Sequence, residues 1–203
     1  MIPLLLLRHG PTEWSQAGRI QGRTDTALSE NARLWLRQRR LPEEFLSWRR
    51  YTSPLQRCVE TGEALGLLGA QQEPRIIEMS WGAWEGRRLT ELRAELTDSM
   101  RENEDRGWDF RPTDGESPRE VRARVGGWLA QLVQFGQPAF AVTHRGVIRV
   151  VLAQAYGWDM LGRPPVKLDW NAGHLFTLDA EAQPHPQRMN LPLVSNLPIE
   201  GAR

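Results

Sequence analysis

Three clusters in this chain combine residue types suited to phosphate chemistry: Arg8-His9-Gly10, Arg57 and His144-Arg145-Gly146. Arginine presents a planar fork that grips two oxygens of one anion. An imidazole can attack phosphorus through one ring nitrogen while a hydrogen bond at the other fixes its tautomer. A carboxyl group can hand a proton to the departing alkoxide. A second imidazole can stabilise charge building on the phosphoryl group in transfer. A minimal kit is therefore one nucleophilic histidine, two arginines, one acid and a further histidine, and the sequence offers all five. Taken singly, each has a plainer role as a structural histidine at a strand end, a solvated arginine or a packed core histidine. Their placement argues against the plainer roles.

Each cluster follows a segment that reads as a strand. Leu4 to Leu7 is a continuous apolar run of the kind buried on both faces in parallel sheets. Arg49 to Ser53 is a shorter strand, running into Ser53-Pro54-Leu55-Gln56. That run predicts a helix with Ser53 at the N-cap, Pro54 in the first turn and Gln56 closing a capping box. Ala139 to Thr143 is a third strand, followed by a helix through Val147, Val150, Val151 and Ala155. Ser117-Pro118-Arg119-Glu120 is a second capping box, opening a helix with Val121, Val125, Trp128, Leu129 and Leu132, and Ala172 to Leu178 is a late strand. Strands alternating with helices imply an α/β three-layer sandwich with a mostly parallel central sheet. Ligands in such sheets bind beyond the carboxyl ends of the strands. Arg8 and His9, Arg57 and His144 all fall just past such ends, so one sheet edge gathers them.

The segment 87–115 departs from this rhythm. It is highly charged, with Leu89, Leu92 and Leu96 at helical spacing, then Trp108 and Phe110, and it reads as a small helical lid over the site. Trp14 and Trp108 are the tryptophans expected to line the pocket. From Gln183 onward the chain is rich in proline and is expected to run over the surface. A single domain over 1–203 is expected from the length of 203 residues. The formal net charge of +1 leaves no global footprint for nucleic acid or an anionic membrane. Lys167 is the only lysine, a skew that a GC-rich genome explains as well as function does. Cys58 is the only cysteine, so neither an internal disulfide nor a cysteine-rich metal site is expected. It reads as a small buried helix residue, and His174 and His185 read as structural. The apolar start is too short for a signal peptide, so a cytoplasmic location is expected.

The run Leu6-Leu7-Arg8-His9-Gly10-Pro11-Thr12-Glu13-Trp14, followed by Gly18-Arg19-Ile20-Gln21-Gly22, resembles the histidine phosphatase superfamily, which includes the cofactor-dependent phosphoglycerate mutases. The resemblance continues through Ser53 to Cys58, Glu78 to Gly86, Asp114 to Ser117 and Val142 to Arg149, in the family's order. It implies a phosphoglycerate mutase-like fold, His9 as the nucleophile that becomes phosphohistidine, and Arg8 and Arg57 gripping the phosphoryl oxygens. It implies Glu78 as the proton donor, with Glu85 the alternative, and His144 as the second pocket histidine. Gln21 and Gly22 fall in the segment that contacts substrate. Ser15 stands where the family often has Asn, keeping a hydroxyl of shorter reach. Arg145 stands where the family usually has Gly, and either adds charge near the pocket or points outward. No metal and no cofactor are implied.

The expected activity is hydrolysis of a small-molecule phosphate ester, with no nucleic-acid or membrane partner and an oligomeric state the sequence leaves open. The runner-up is a cofactor-dependent phosphoglycerate mutase, although the family's mutases tend to be longer. A non-catalytic phosphate-binding module ranks below both, because nothing in the kit is missing.

Overall fold

Leu4, Leu5, Leu6 and Leu7 are all buried because both faces of their strand are covered. In the computed structural model, which describes residues 1–196, this run is the centre of strand β1 (Ile2–Arg8). The last residues of the domain expected over 1–203 lie outside the described residues. In chain order there follow α1 (Glu13–Gln16), α2 (Glu30–Arg37), β2 (Arg39–Arg40), β3 (Arg49–Thr52), α3 (Gln56–Ala64) and β4 (Gln71–Gln72). Then come α4 (Leu89–Glu104), α5 (Pro118–Phe135), β5 (Ala139–Thr143), α6 (Arg145–Tyr156), β6 (Gly173–Leu178), β7 (Pro184–Leu191) and β8 (Val194–Ser195).

Six strands form the main sheet in the order β4-β3-β5-β1-β6-β7. The pairs β3–β4, β3–β5 and β1–β5 are parallel, and β6 runs antiparallel to β1. The side-chain period of two divides β1 between two cores. Leu4 and Leu6 face α5 and α6, with Val125, Trp128 and Val151. Leu5 and Leu7 face α2 and α3, with Leu36, Cys58 and Val142. The result is the three-layer sandwich expected from the sequence. Each buried leucine contributes about 2 kcal/mol, so the platform for Arg8 and His9 is among the best-anchored parts of the molecule. Ser117 opens α5 with the expected capping box, its hydroxyl accepting from Glu120 N–H and Glu120 reaching back to Ser117 N–H.

Two expectations need correction. Past Gln183 the chain does not merely lie on the surface, because it adds β7 to the sheet, antiparallel to β6. Pro184 and Pro186 are tolerated there because an edge strand need not donate on its outer side. The end of that proline-bearing tail lies outside the described residues. The second correction concerns the start of α3. Its N-cap is Leu55, not Ser53, and no side chain of its own caps it. Asp25, from a distant loop, accepts the Gln56 N–H at 2.9 Å. Ser53 is committed elsewhere, as described below.

His174, on β6, is fully buried. Its Nδ1 accepts from Asn190 N–H at 3.3 Å, and its Nε2 has no hydrogen-bond partner. Burial outweighs the pull of Asp169 and lowers its pKa to about 4. An unfolded histidine titrates near about 6.5, so the unfolded chain takes up a proton that the folded chain refuses. Stability from this group is therefore intact above about pH 6.5 and is lost as the pH falls toward 4, by on the order of 3 kcal/mol. His9 and His144, lowered by the same cause, act in the same direction. The midpoint of urea unfolding should fall between pH 7 and 4.5, with a shallower fall in His174→Leu. An identical pH slope in the variant would remove His174 from this account.

Candidate active site

The adjacent parallel strands β3, β5 and β1 end on one sheet edge, and the residues just past them meet there. His9 N–H donates to the Thr143 carbonyl at 2.9 Å, tying the ends of β1 and β5 together. The His9 ring lies 2.7 Å from its neighbour's carbonyl, Nδ1 to Gly10 O. A carbonyl only accepts, so the proton sits on Nδ1 and the lone pair on Nε2. Gly10 is tightly packed: a Cβ there would meet the end of the Leu36 side chain at 2.9 Å. Its N–H donates to Thr61 Oγ1 at 2.9 Å.

From the end of β5, His144 enters at the N-cap of α6, with its ring centroid 5.2 Å from that of His9. Its Nε2 lies 2.7 Å from Ser53 Oγ, which explains why Ser53 does not cap α3. Cys58 Sγ is 3.4 Å from the same nitrogen, and burial pushes its thiol pKa up, which leaves it un-ionised and inert.

Arg57, in the first turn of α3, is fully buried. Two backbone carbonyls of the 22–24 loop hold it: Gly22 O at 2.7 Å and Thr24 O at 3.0 Å. The Nε atoms of Arg57 and Arg8 are both buried without a hydrogen-bond partner. A buried N–H without an acceptor is costly, and two of them beside His9 suit the oxygens of an anion.

The two candidate acids separate cleanly. Glu78 is buried and lines the pocket, its Oε1 accepting from Met79 N–H at 2.8 Å and Gly146 N–H at 3.1 Å. Gly146 must be glycine, since a Cβ would collide with that carboxylate. Glu85 instead clamps the 22–24 loop, accepting from Arg23 N–H, Thr24 N–H, Thr24 Oγ1 and Trp81 N–H. It holds the loop that holds Arg57. Gly22, at φ +55, presses on Glu85 where no side chain would fit.

Ser15, Gln21, Gly22 and Arg145 all border the same pocket. The Ser15 hydroxyl closes a capping box with Thr12, accepting from its N–H at 2.9 Å. Gln21 Nε2 donates to Thr12 Oγ1 at 2.6 Å and Thr26 Oγ1 at 2.7 Å. Arg145 is exposed, its guanidinium 5.1 Å from the centre of the Trp170 ring. Trp14 and Trp108 do not line the pocket as expected. Trp14 packs on Gly86, and Trp108 packs against the core under Arg122. Trp81 and Phe110 take their place. Ser53, Trp170 and Arg149 were missed by the sequence reading. Ser53 carried the fainter signal of lying just past a strand end, while Trp170 lies in a turn that gives none.

The cavity holds about 880 Å³. Burial sets its electrostatics. His9 is held well below the usual histidine range by burial and by the charges of Arg8 and Arg57. His144 is lowered by burial, His9 and Arg57. Glu78 is raised by burial, against the opposing pull of Met79 N–H and Arg57. The imidazoles are thus kept as free bases and the carboxyl biased toward its acid form, the states a nucleophile and a proton donor require.

A sequence model of the histidine phosphatase superfamily (branch 1) matches residues 4–185. Phosphoserine phosphatase 1 of Hydrogenobacter thermophilus is 31% identical over 170 residues, 79% of each chain. A probable phosphoglycerate mutase of Cronobacter sakazakii is 32% identical over 133 residues, 64% of this chain and 62% of that one. Among solved structures, mycobacterial glucosyl-3-phosphoglycerate phosphatase in complex with VO3 is similar, with a TM-score of 0.71 and 25% identity. That match covers 94% of this chain and 100% of the other.

Proposed function

The chain belongs to the histidine phosphatase superfamily, branch 1, and on that premise we propose that it hydrolyses small phosphomonoesters through a phosphohistidine on His9. The observation that carries the reading is one pocket that gathers Arg8, Glu78 and a His9 whose Nδ1 is held by the Gly10 carbonyl, and burial there lowers the His9 pKa and raises that of Glu78. Arg8 and Arg57 hold the phosphoryl oxygens. His9 Nε2 attacks phosphorus, the bond from phosphorus to the ester oxygen breaks, and Glu78 gives that oxygen its proton. Water then attacks the phosphohistidine, Glu78 takes back a proton, and orthophosphate leaves. His144 steadies the charge on the moving group. No step calls on a metal, because the guanidinium groups supply the positive charge.

The relatives named for phosphoserine and glucosyl-3-phosphoglycerate point to a phosphorylated metabolite as substrate. Residues 87–115 act as the lid of a single domain, since Leu89, Arg93, Glu104 and Phe110 wall the outer pocket. A cytoplasmic location accompanies this reading. It is supported by the lone, buried Cys58, which calls for no oxidising compartment. No helix among the described residues is long and apolar enough to cross a membrane.

The similarity to a probable mutase keeps phosphoglycerate mutase as the second reading. Incubation with 3-phosphoglycerate and with an aryl phosphate tests both. Net orthophosphate supports the phosphatase, 2-phosphoglycerate without orthophosphate supports the mutase, and no turnover of any phosphoester overturns both.

A further inference from the structure

Five guanidinium groups line or adjoin the pocket with no carboxylate ion-paired to them among the described residues: Arg8, Arg19, Arg57, Arg145 and Arg149. Arg93, also at the rim, pairs with Glu104 at 2.7 Å. Arg19 is held at the rim by the Gly86 carbonyl at 2.7 Å. Arg8 and Arg57 serve the transferred phosphoryl group. Arg145 and Arg149 remain, one turn apart on α6 and therefore on one helix face.

Their surroundings hold like charges together. Trp170 lies under two guanidiniums at once, with Arg8 at 5.7 Å and Arg145 at 5.1 Å from its ring. Arg149 lies 5.0 Å from the Trp158 ring and, unlike Arg145, is half-buried. Cation–π contact keeps a guanidinium in place without neutralising it. The positive field of Arg145 bears on Arg8 and on Arg149 alike. A strip of unneutralised charge thus runs from the phosphoryl site along α6. A phosphomonoester carries about two negative charges near pH 7, which Arg8 and Arg57 already match.

We propose that Arg145 and Arg149 form a second anion site in the same pocket, selecting phosphoesters that carry a further carboxylate or phosphate. This deepens the phosphatase reading and rests on it. Arg145 is the specificity-determining member, and Trp170 fixes its guanidinium against that of Arg8.

The test compares kcat/KM for matched substrates. In one pair, 3-phosphoglycerate carries a carboxylate that glycerol 3-phosphate lacks. In the other, fructose 1,6-bisphosphate carries a phosphate that fructose 6-phosphate lacks. The anion-bearing member of at least one pair should be favoured by on the order of 10-fold, the size of a charge-assisted hydrogen bond. Arg145→Gln should collapse that ratio toward one, mainly through KM, and Arg145→Lys should restore part of it. The pair that shows the effect identifies the anion. No preference in either pair while p-nitrophenyl phosphate is turned over overturns this inference alone. A preference that survives Arg145→Gln also overturns it. No turnover of any of these compounds overturns the phosphatase reading and the inference with it.

Discussion

His9→Ala is expected to lower phosphate release by at least ~10⁴-fold, because it removes the imidazole proposed to attack phosphorus. The loss should be in kcat, since Arg8 and Arg57 remain to bind the phosphoryl group. Two measurements make the result specific. A quench that spares acid-labile phosphate should trap labelled phosphohistidine in the wild type and none in the variant. Circular dichroism should show the same folded spectrum for both, because His9 lies past the end of β1 and the backbone N–H that ties it to Thr143 survives the substitution. Label persisting in the variant would move the nucleophile to another residue, with His144, 5.2 Å away between ring centroids, the first suspect.

Glu78→Gln carries the second large effect, and its size should depend on the leaving group. An alkoxide cannot depart without a proton, so hydrolysis of alkyl phosphates should fall ~10²–10⁴-fold. Nitrophenolate is stable as an anion, so p-nitrophenyl phosphate should lose less than about 10-fold. The amide keeps an oxygen to accept from Met79 N–H and Gly146 N–H, so the local structure survives. The pH profile supplies a further readout. Glu78 must be protonated to act, and its pKa is raised by burial. The alkyl-phosphate rate should therefore decline as the pH climbs through that raised pKa, and the variant should lack this limb. Equal losses with both leaving groups would take the acid role from Glu78.

Much of this site was legible because its residues follow strand ends. Leu4–Leu7 and Ala139–Thr143 declare themselves by unbroken burial, and in an α/β sheet whatever follows them faces the ligand edge. His9 and His144 could therefore be brought together without a structure. The choice between Glu78 and Glu85 was not legible from residue type, because both are acids in one short run and only the folded contacts tell them apart. Glu85 spends its oxygens on the 22–24 loop, while Glu78 lines the same pocket as His9. The false N-cap at Ser53 shows why local motifs mislead near a site. Ser53-Pro54-Leu55-Gln56 has the letters of a capping box, but His144 takes the hydroxyl and Asp25 takes the helix N–H. Both competitors are far away in sequence. The tail was misread for the opposite reason: its prolines exclude a central strand but not an edge strand such as β7.

The two borders of the main sheet bear on how this protein behaves in a crowded solution. At one border β4 pairs over only Gln71 and Gln72, too short to recruit a neighbouring chain. At the other, Pro184 and Pro186 leave β7 without two of the N–H donors a docking strand would need. Neither border is a template for cross-β growth, so the chain resists aggregation through its sheet.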